Sequence, residues 1–134
     1  MRLVLDTNVV ISAFINPGGK PSQILKIALE RKAGLCYNSS ILSEYEDVML
    51  RPKFSSKIDP GIIRSFIDLI RTIGFSFEPL PSSIKLLDET DKIFYDTARG
   101  SGSILISGNI KHYPKEPFIL QPADFINLIL LDRI

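Results

Sequence analysis

The sequence predicts an α/β fold in three layers (α/β/α), a sandwich whose central, mostly parallel sheet has about five strands with helices on both faces. Three observations lead there. Short apolar runs of strand character alternate along the chain with longer segments whose apolar residues recur at helical spacing. Breakers rich in Gly, Pro and Asn separate most of them. The 134 residues, 45% of them hydrophobic, suffice for one sizeable core and are too few for two ordinary domains, so residues 1–134 read as a single domain. Strands and helices that alternate in this way are joined by right-handed crossovers, which make the strands parallel and cover both faces of the sheet.

Residues 2–5 form the first strand, and residues 8–15 a short helix that ends at Asn16-Pro17-Gly18-Gly19. Pro21 and Ser22 suit the next helix start. Over residues 22–32 Ile24, Leu25, Ile27, Ala28 and Leu29 keep helical spacing, and Gly34 closes the segment. Residues 35–37 are the second strand. Ser39 or Ser40 caps a third helix that carries Ile41, Leu42, Tyr45, Val48 and Met49 toward the core until Arg51-Pro52. Residues 60–73 repeat the pattern with Ile62, Ile63, Phe66, Ile67, Leu69 and Ile70; Gly74 breaks it, and 75–77 is the third strand. Residues 88–91 lead into a helix from Lys92 to about Arg99, stopped by Gly100 and Gly102. The fourth strand, 103–106, ends at Ser107-Gly108-Asn109; a weaker fifth, 118–120, follows the loop containing His112, and 122–131 is the last helix. No internal repeat or linker divides the chain.

Sixteen basic and fifteen acidic residues nearly cancel, so no global field advertises a polyanionic partner and any nucleic-acid surface is local. The single cysteine, Cys36, lies in an apolar stretch, reads as a small buried strand residue and has no internal partner for a disulfide, which fits a reducing compartment. No apolar run is long enough to cross a bilayer and no signal-peptide pattern opens the chain, so the expected location is the cytoplasm.

Parallel sheets bind ligands beyond the carboxyl ends of their strands, where the strand order reverses. Four polar residues fall at such ends: Asp6 after the first strand, Glu44 on the helix after the second, Asp91 at a helix start and Asn109 after the fourth strand. Several carboxylates in one pocket repel each other unless a cation or shared protons offset their charge. All-oxygen donors suit Mg²⁺ or Mn²⁺ better than Zn²⁺, and one or two such ions can activate a water against a phosphodiester without a nucleophilic side chain. The helix after Asp6 adds backbone donors and a positive dipole end that favour its ionised form.

The sequence resembles the PIN domain, a family of metal-dependent ribonucleases whose many prokaryotic members include toxins of toxin–antitoxin pairs. The resemblance covers nearly the whole chain. It rests on Leu5-Asp6-Thr7-Asn8-Val9-Val10 with Pro17-Gly18-Gly19, on Ile41-Leu42-Ser43-Glu44-Tyr45 continuing to Arg51-Pro52-Lys53-Phe54, on Asp91 with Phe94 and Ala98, and on Ile104-Leu105-Ile106-Ser107-Gly108-Asn109. It implies that Asp6, Glu44 and Asp91 are the acidic, metal-holding and catalytic residues, with Asn8 orienting Asp6 or a water at the ion. Asn109 takes the fourth position, where many members have aspartate; its carbonyl oxygen can still assist, with one negative charge fewer. The implied activity is endonucleolytic hydrolysis of single-stranded RNA with Mg²⁺ or Mn²⁺. A cognate antitoxin and a homodimer are the implied protein partners, the helices at 22–32 and 40–50 offering a dimer face.

Around these residues, Asp88 and Glu89 compete with Asp91 for the same helix start, where Asp88 can serve as a cap. Asp96 is a second-tier candidate: five positions beyond Asp91, it lies about 140° round an ideal helix and suits a salt bridge. His112 reads as an exposed loop residue. Arg51, Lys53 and Lys111, with Lys92, Arg99 and Lys115, flank the site in sequence and can hold an RNA backbone. The competing reading is a non-catalytic module of the same fold that binds RNA or a protein, and Asn109 is the residue that favours it.

Overall fold

A computed structural model describes residues 1–131. Five short strands form one sheet: β1 (Arg2–Leu5), β2 (Gly34–Tyr37), β3 (Phe75–Ser76), β4 (Ile104–Ile106) and β5 (Ile119–Leu120). Their order is β3-β2-β1-β4-β5 and every neighbouring pair is parallel. In the central strand Leu3 pairs with Leu35 on one side and Ile104 on the other. Leu3, Val4 and Leu5 are each 0% exposed although successive side chains point to opposite faces, so both faces are covered.

The cover comes from α1 (Thr7–Ile15), α2 (Lys20–Leu29), α3 (Ser39–Met49), α4 (Pro52–Ser55), α5 (Pro60–Ile73), α6 (Lys92–Ser101) and α7 (Pro122–Leu130). α1 packs on α2 and α2 on α7; α3 packs on α5 and α6, and α6 lies over β1, β2 and β4. Ile24, Leu25 and Ala28 of α2 and Ile41, Leu42, Tyr45 and Met49 of α3 are all buried in this core. Cys36 is buried there too and has no disulfide partner.

Local physics moved some boundaries from those the sequence suggests. The cap of α3 is Asn38 and neither serine: its backbone is extended and its side-chain oxygen accepts from Ile41 N at 3.0 Å. The same amide donates to Phe77 O at 3.1 Å and Thr97 Oγ1 at 2.8 Å, joining α3, the end of β3 and α6. Gly100 does not stop α6. It stays helical because a Cβ there would meet the Phe77 ring at 2.9 Å, and the helix ends at Gly102, which takes the left-handed φ of 70°. Pro52 follows the end of α3 but opens α4, since proline is tolerated in a first helical turn. Ile62 and Leu69 are 53% and 40% exposed, one residue off the buried stripe of Ile63, Phe66, Ile67 and Ile70.

From β1 the chain builds outward to β2 and β3, then returns across the sheet to place β4 on the other side of β1. The order therefore reverses between β1 and β4, and beyond their carboxyl ends a cleft opens.

Candidate active site

The cleft measures about 520 Å³ and its walls include Asp6, Thr7, Asn8, Glu44, Asp91 and Asn109. Asp6, Glu44, Asp91 and Asn109 thus come from four separated stretches of sequence to one place. Arg51, Asp47, Asp88 and His112 also border it.

Asp6 follows β1 and occupies the cap position of α1, with 4% of its surface exposed. Its Oδ2 accepts two hydroxyl hydrogen bonds, from Ser107 Oγ at 2.7 Å and Tyr113 OH at 2.8 Å. Burial raises its carboxyl above the usual range, and these two donors work against the rise. Asp91 ends a 3₁₀ turn, Glu89–Asp91, just before α6. Burial, then the Asp6 charge, push its carboxyl up to about 6, while His112, whose Nδ1 lies 3.3 Å from Asp91 Oδ2, acts to lower it. Glu44, half-buried on α3, is raised by burial first and next by Asp47, with Asp88 and Asp6 adding and Arg51 opposing. Each of the three acidic groups is thus disfavoured as an anion, and Asp6 contributes to the rise of the other two.

Asn8, expected to orient Asp6 or a water at the ion, lines the cleft and makes its hydrogen bond to a backbone group. Asn8 Oδ1 accepts from Gly108 N at 3.0 Å, clipping the start of α1 to the loop after β4. Ser107 Oγ in turn accepts from Asn109 N at 3.0 Å, so the loop carrying Asn109 is held from two sides. Asn109 itself is exposed. Asp96 lies off the cleft: it is buried, pairs with Lys92 Nζ at 2.8 Å and accepts from Ser82 Oγ at 2.5 Å, which ties the segment after β3 onto α6. Its carboxyl lies below the usual range; burial opposes this, and the bonds from Lys92 and Ser82 outweigh it. Asp88 caps the 3₁₀ turn, accepting from Thr90 N at 2.9 Å and Thr90 Oγ1 at 2.7 Å.

Of the basic candidates Arg51 borders the cleft, held by Asp47 at 3.2 Å. Lys53 and Lys111 do not line it. Lys53 Nζ sits 5.3 Å from the centre of the Phe54 ring, and Lys111 borders a separate groove with Ile110, Tyr113 and Pro114. His112, expected to be an exposed loop residue, is half-buried at the cleft; the sequence assigns Ser107 no role beyond the break after the fourth strand, and Tyr113 none. Ser107 was findable as a small polar residue directly after β4, beside the strand that ends in Asp6. Tyr113 carried no such signal, because its partner is far away in sequence and near only across the sheet.

Among the described residues no three His, Cys, Asp or Glu side chains stand close enough to form a complete ligand cage. The donor set still fits a hard divalent ion. Asp6, Glu44, Asp91 and Asn109 offer the cleft oxygen donors alone, the kind that Mg²⁺ and Mn²⁺ take. The Thr7 hydroxyl at the same cleft is buried without a partner among the described residues, and a ligand or water there would satisfy it. No helix of the described residues is long and apolar enough to cross a membrane.

Comparison with known proteins gives three findings. Residues 2–111 match a family model described as PIN domain. The chain is 32% identical over 110 residues to an uncharacterized protein of Methanocaldococcus jannaschii, across 81% of this chain and 71% of that protein. In fold it is similar to a chain in the crystal structure of VapBC2 from Rickettsia felis bound to a DNA fragment from their promoter, with a TM-score of 0.58, 15% identity, and 90% and 97% of the two chains covered.

Proposed function

The chain belongs to the PIN domain family, and from that premise we propose that it is a metal-dependent endoribonuclease of single-stranded RNA, acting as the toxin of a toxin–antitoxin pair. The observation that carries the reading is the cleft in which Asp6, Glu44 and Asp91 meet where the strand order reverses, each carboxyl raised by burial and Glu44 and Asp91 raised further by the charge of Asp6. Such a group of acids gains most from a cation.

In this reading Asp6, Glu44 and Asp91 would hold Mg²⁺ or Mn²⁺, with Asn109 assisting. The ion supplies Lewis acidity for water attack on phosphorus and offsets the charge that develops there. In this reading Glu44, which lines the cleft and whose carboxyl burial raises, would take a proton from the attacking water at a carboxylate oxygen. A bond forms from that water's oxygen to phosphorus, the bond to one ribose oxygen breaks, and the departing oxygen takes up a proton. Arg51 at the cleft, with Lys53 and Lys111 further out, supplies positive charge for the RNA backbone. An antitoxin protein and a second copy of the chain are the protein partners that family membership and the likeness to VapBC2 support.

A circular single-stranded RNA tests the endonuclease directly, because it offers no end. Linear product in Mn²⁺ and none in chelator is the expected result; circles left intact while linear RNA is shortened would replace the reading with an exonuclease. A non-catalytic RNA- or protein-binding module is the second reading, favoured by the uncharged Asn109 and by the absence of a complete ligand cage among the described residues. It predicts intact RNA of both kinds.

A further inference from the structure

We propose that Tyr113 is a positioning residue for metal binding: with Ser107 it saturates one oxygen of Asp6, fixing the carboxylate so that the other oxygen faces the cleft. The inference rests on the metal-dependent reading above and adds to it a residue that touches neither ion nor RNA.

Both hydroxyls converge on the same atom, Asp6 Oδ2, at 2.7 and 2.8 Å. No side chain of the described residues donates to Oδ1; the backbone N–H of Thr7 also acts on this carboxylate, and Asp6 lines the cleft. A carboxylate oxygen with two good donors has little capacity left, so an ion approaching from the cleft finds a single, preset oxygen. The two donors come from different places. Ser107 directly follows β4 and is 0% exposed, while Tyr113 follows the 3₁₀ turn Ile110–His112 and is 7% exposed.

Packing alone does not require this hydroxyl. The Tyr113 ring borders an apolar groove with Ile110, Pro114 and Ile119, where a phenylalanine ring would fill the same space. A buried hydroxyl is costly unless it is bonded, and here its acceptor is the carboxylate. The rest of the loop is tethered to the site as well: Gly108 N donates to Asn8, Asn109 N to Ser107, and the His112 ring lies against Asp91. Ser107 and Tyr113, the two ends of segment 107–113, thus hold Asp6, and residues between them bond Asn8 and Asp91.

The test is Mn²⁺ binding by calorimetry to folded wild-type protein, Tyr113→Phe and Ser107→Ala, with circular dichroism checking that each is folded. Partners of metal ligands contribute about 10- to 100-fold in affinity, and a Kd weakened about tenfold or more in Tyr113→Phe is expected. The phenylalanine variant keeps the ring, so a purely structural role would leave the Kd unchanged. Wild-type affinity in Tyr113→Phe would overturn the positioning role and leave the nuclease reading standing. Should that variant not fold, Ser107→Ala decides on the same criterion, since it frees the same oxygen. No Mn²⁺ binding by folded wild-type protein would overturn this proposal together with the metal-dependent reading.

Discussion

Asp91 carries a pH dependence whose sign follows from its surroundings. Its carboxyl is pushed up to about 6 in the folded protein, whereas in the unfolded chain it returns to about 4. The folded state therefore binds this proton more firmly, and the stability the group contributes is full below about pH 4 and lost as the pH rises through about 6. Metal-free Asp91→Asn is expected to melt a few degrees above the wild type at neutral pH, and the gap should close in acid. Melting curves across pH check this; a variant that melts lower at neutral pH would show that Asp91 is stabilising as an anion. Asp96 shows the opposite case, a carboxyl held below its usual range by the bonds from Lys92 and Ser82. Asp96→Ala strands Lys92, and urea unfolding should show a loss of about 2–4 kcal/mol. Positions at strand ends and helix starts put Asp6, Glu44, Asp91 and Asn109 forward as residues that can converge, and the resemblance to the PIN domain favours Asp91 over Asp88 and Glu89. The sequence could not foresee that Asn8 serves Gly108 or that Tyr113 serves Asp6, because those bonds join residues about a hundred positions apart.

Of the glycine positions, Gly74 at the junction between α5 and β3 is the most crowded. A Cβ on Gly74 would meet Ile70 O at 2.5 Å, Tyr37 Cδ1 at 2.8 Å and Leu35 O at 2.9 Å, so backbone and ring crowd the position together. Gly74→Ala should lower stability by about 1–3 kcal/mol, read from denaturant midpoints, since overpacking forces main-chain shifts. Unchanged stability would mean that α5 can slide away from β2. Asn38 plays a comparable part at α3, with one side chain satisfying three separate groups. The longer helices and the strands are legible from periodicity and from breakers such as Gly74, whereas the short α4 is not. What escaped was the choice between neighbouring candidates. Asn38 outcompeted Ser39 and Ser40 because its longer amide also reaches Phe77 and Thr97, and Gly100 was needed for the close approach of Phe77. Such choices are made by tertiary contacts that the local pattern does not contain.

Across the whole molecule, one parallel sheet with β1 at its centre and the crossing to β4 brings Asp6, Glu44 and Asp91 to one cleft, each on or beside a strand or helix. The central strand was readable because Leu3, Val4 and Leu5 form an uninterrupted apolar run, as a strand buried on both faces must. The short outer strands β3 and β5 were readable only from the breakers around them. An ion that binds the folded chain alone must raise its stability by mass action, by about 2.7 kcal/mol at a hundredfold excess over Kd. Thermal melts with Mn²⁺ should therefore shift upward in the wild type and remain in place in Asp6→Asn. The most direct measurement is cleavage of a pool of labelled single-stranded RNAs by purified protein in Mn²⁺, in Mg²⁺ and in chelator, with Asp91→Asn in parallel. Cutting that needs the ion and disappears in folded Asp91→Asn is the predicted result. Full cutting by that variant, or none by well-folded wild-type protein, would contradict the assignment of the cleft as a nuclease centre.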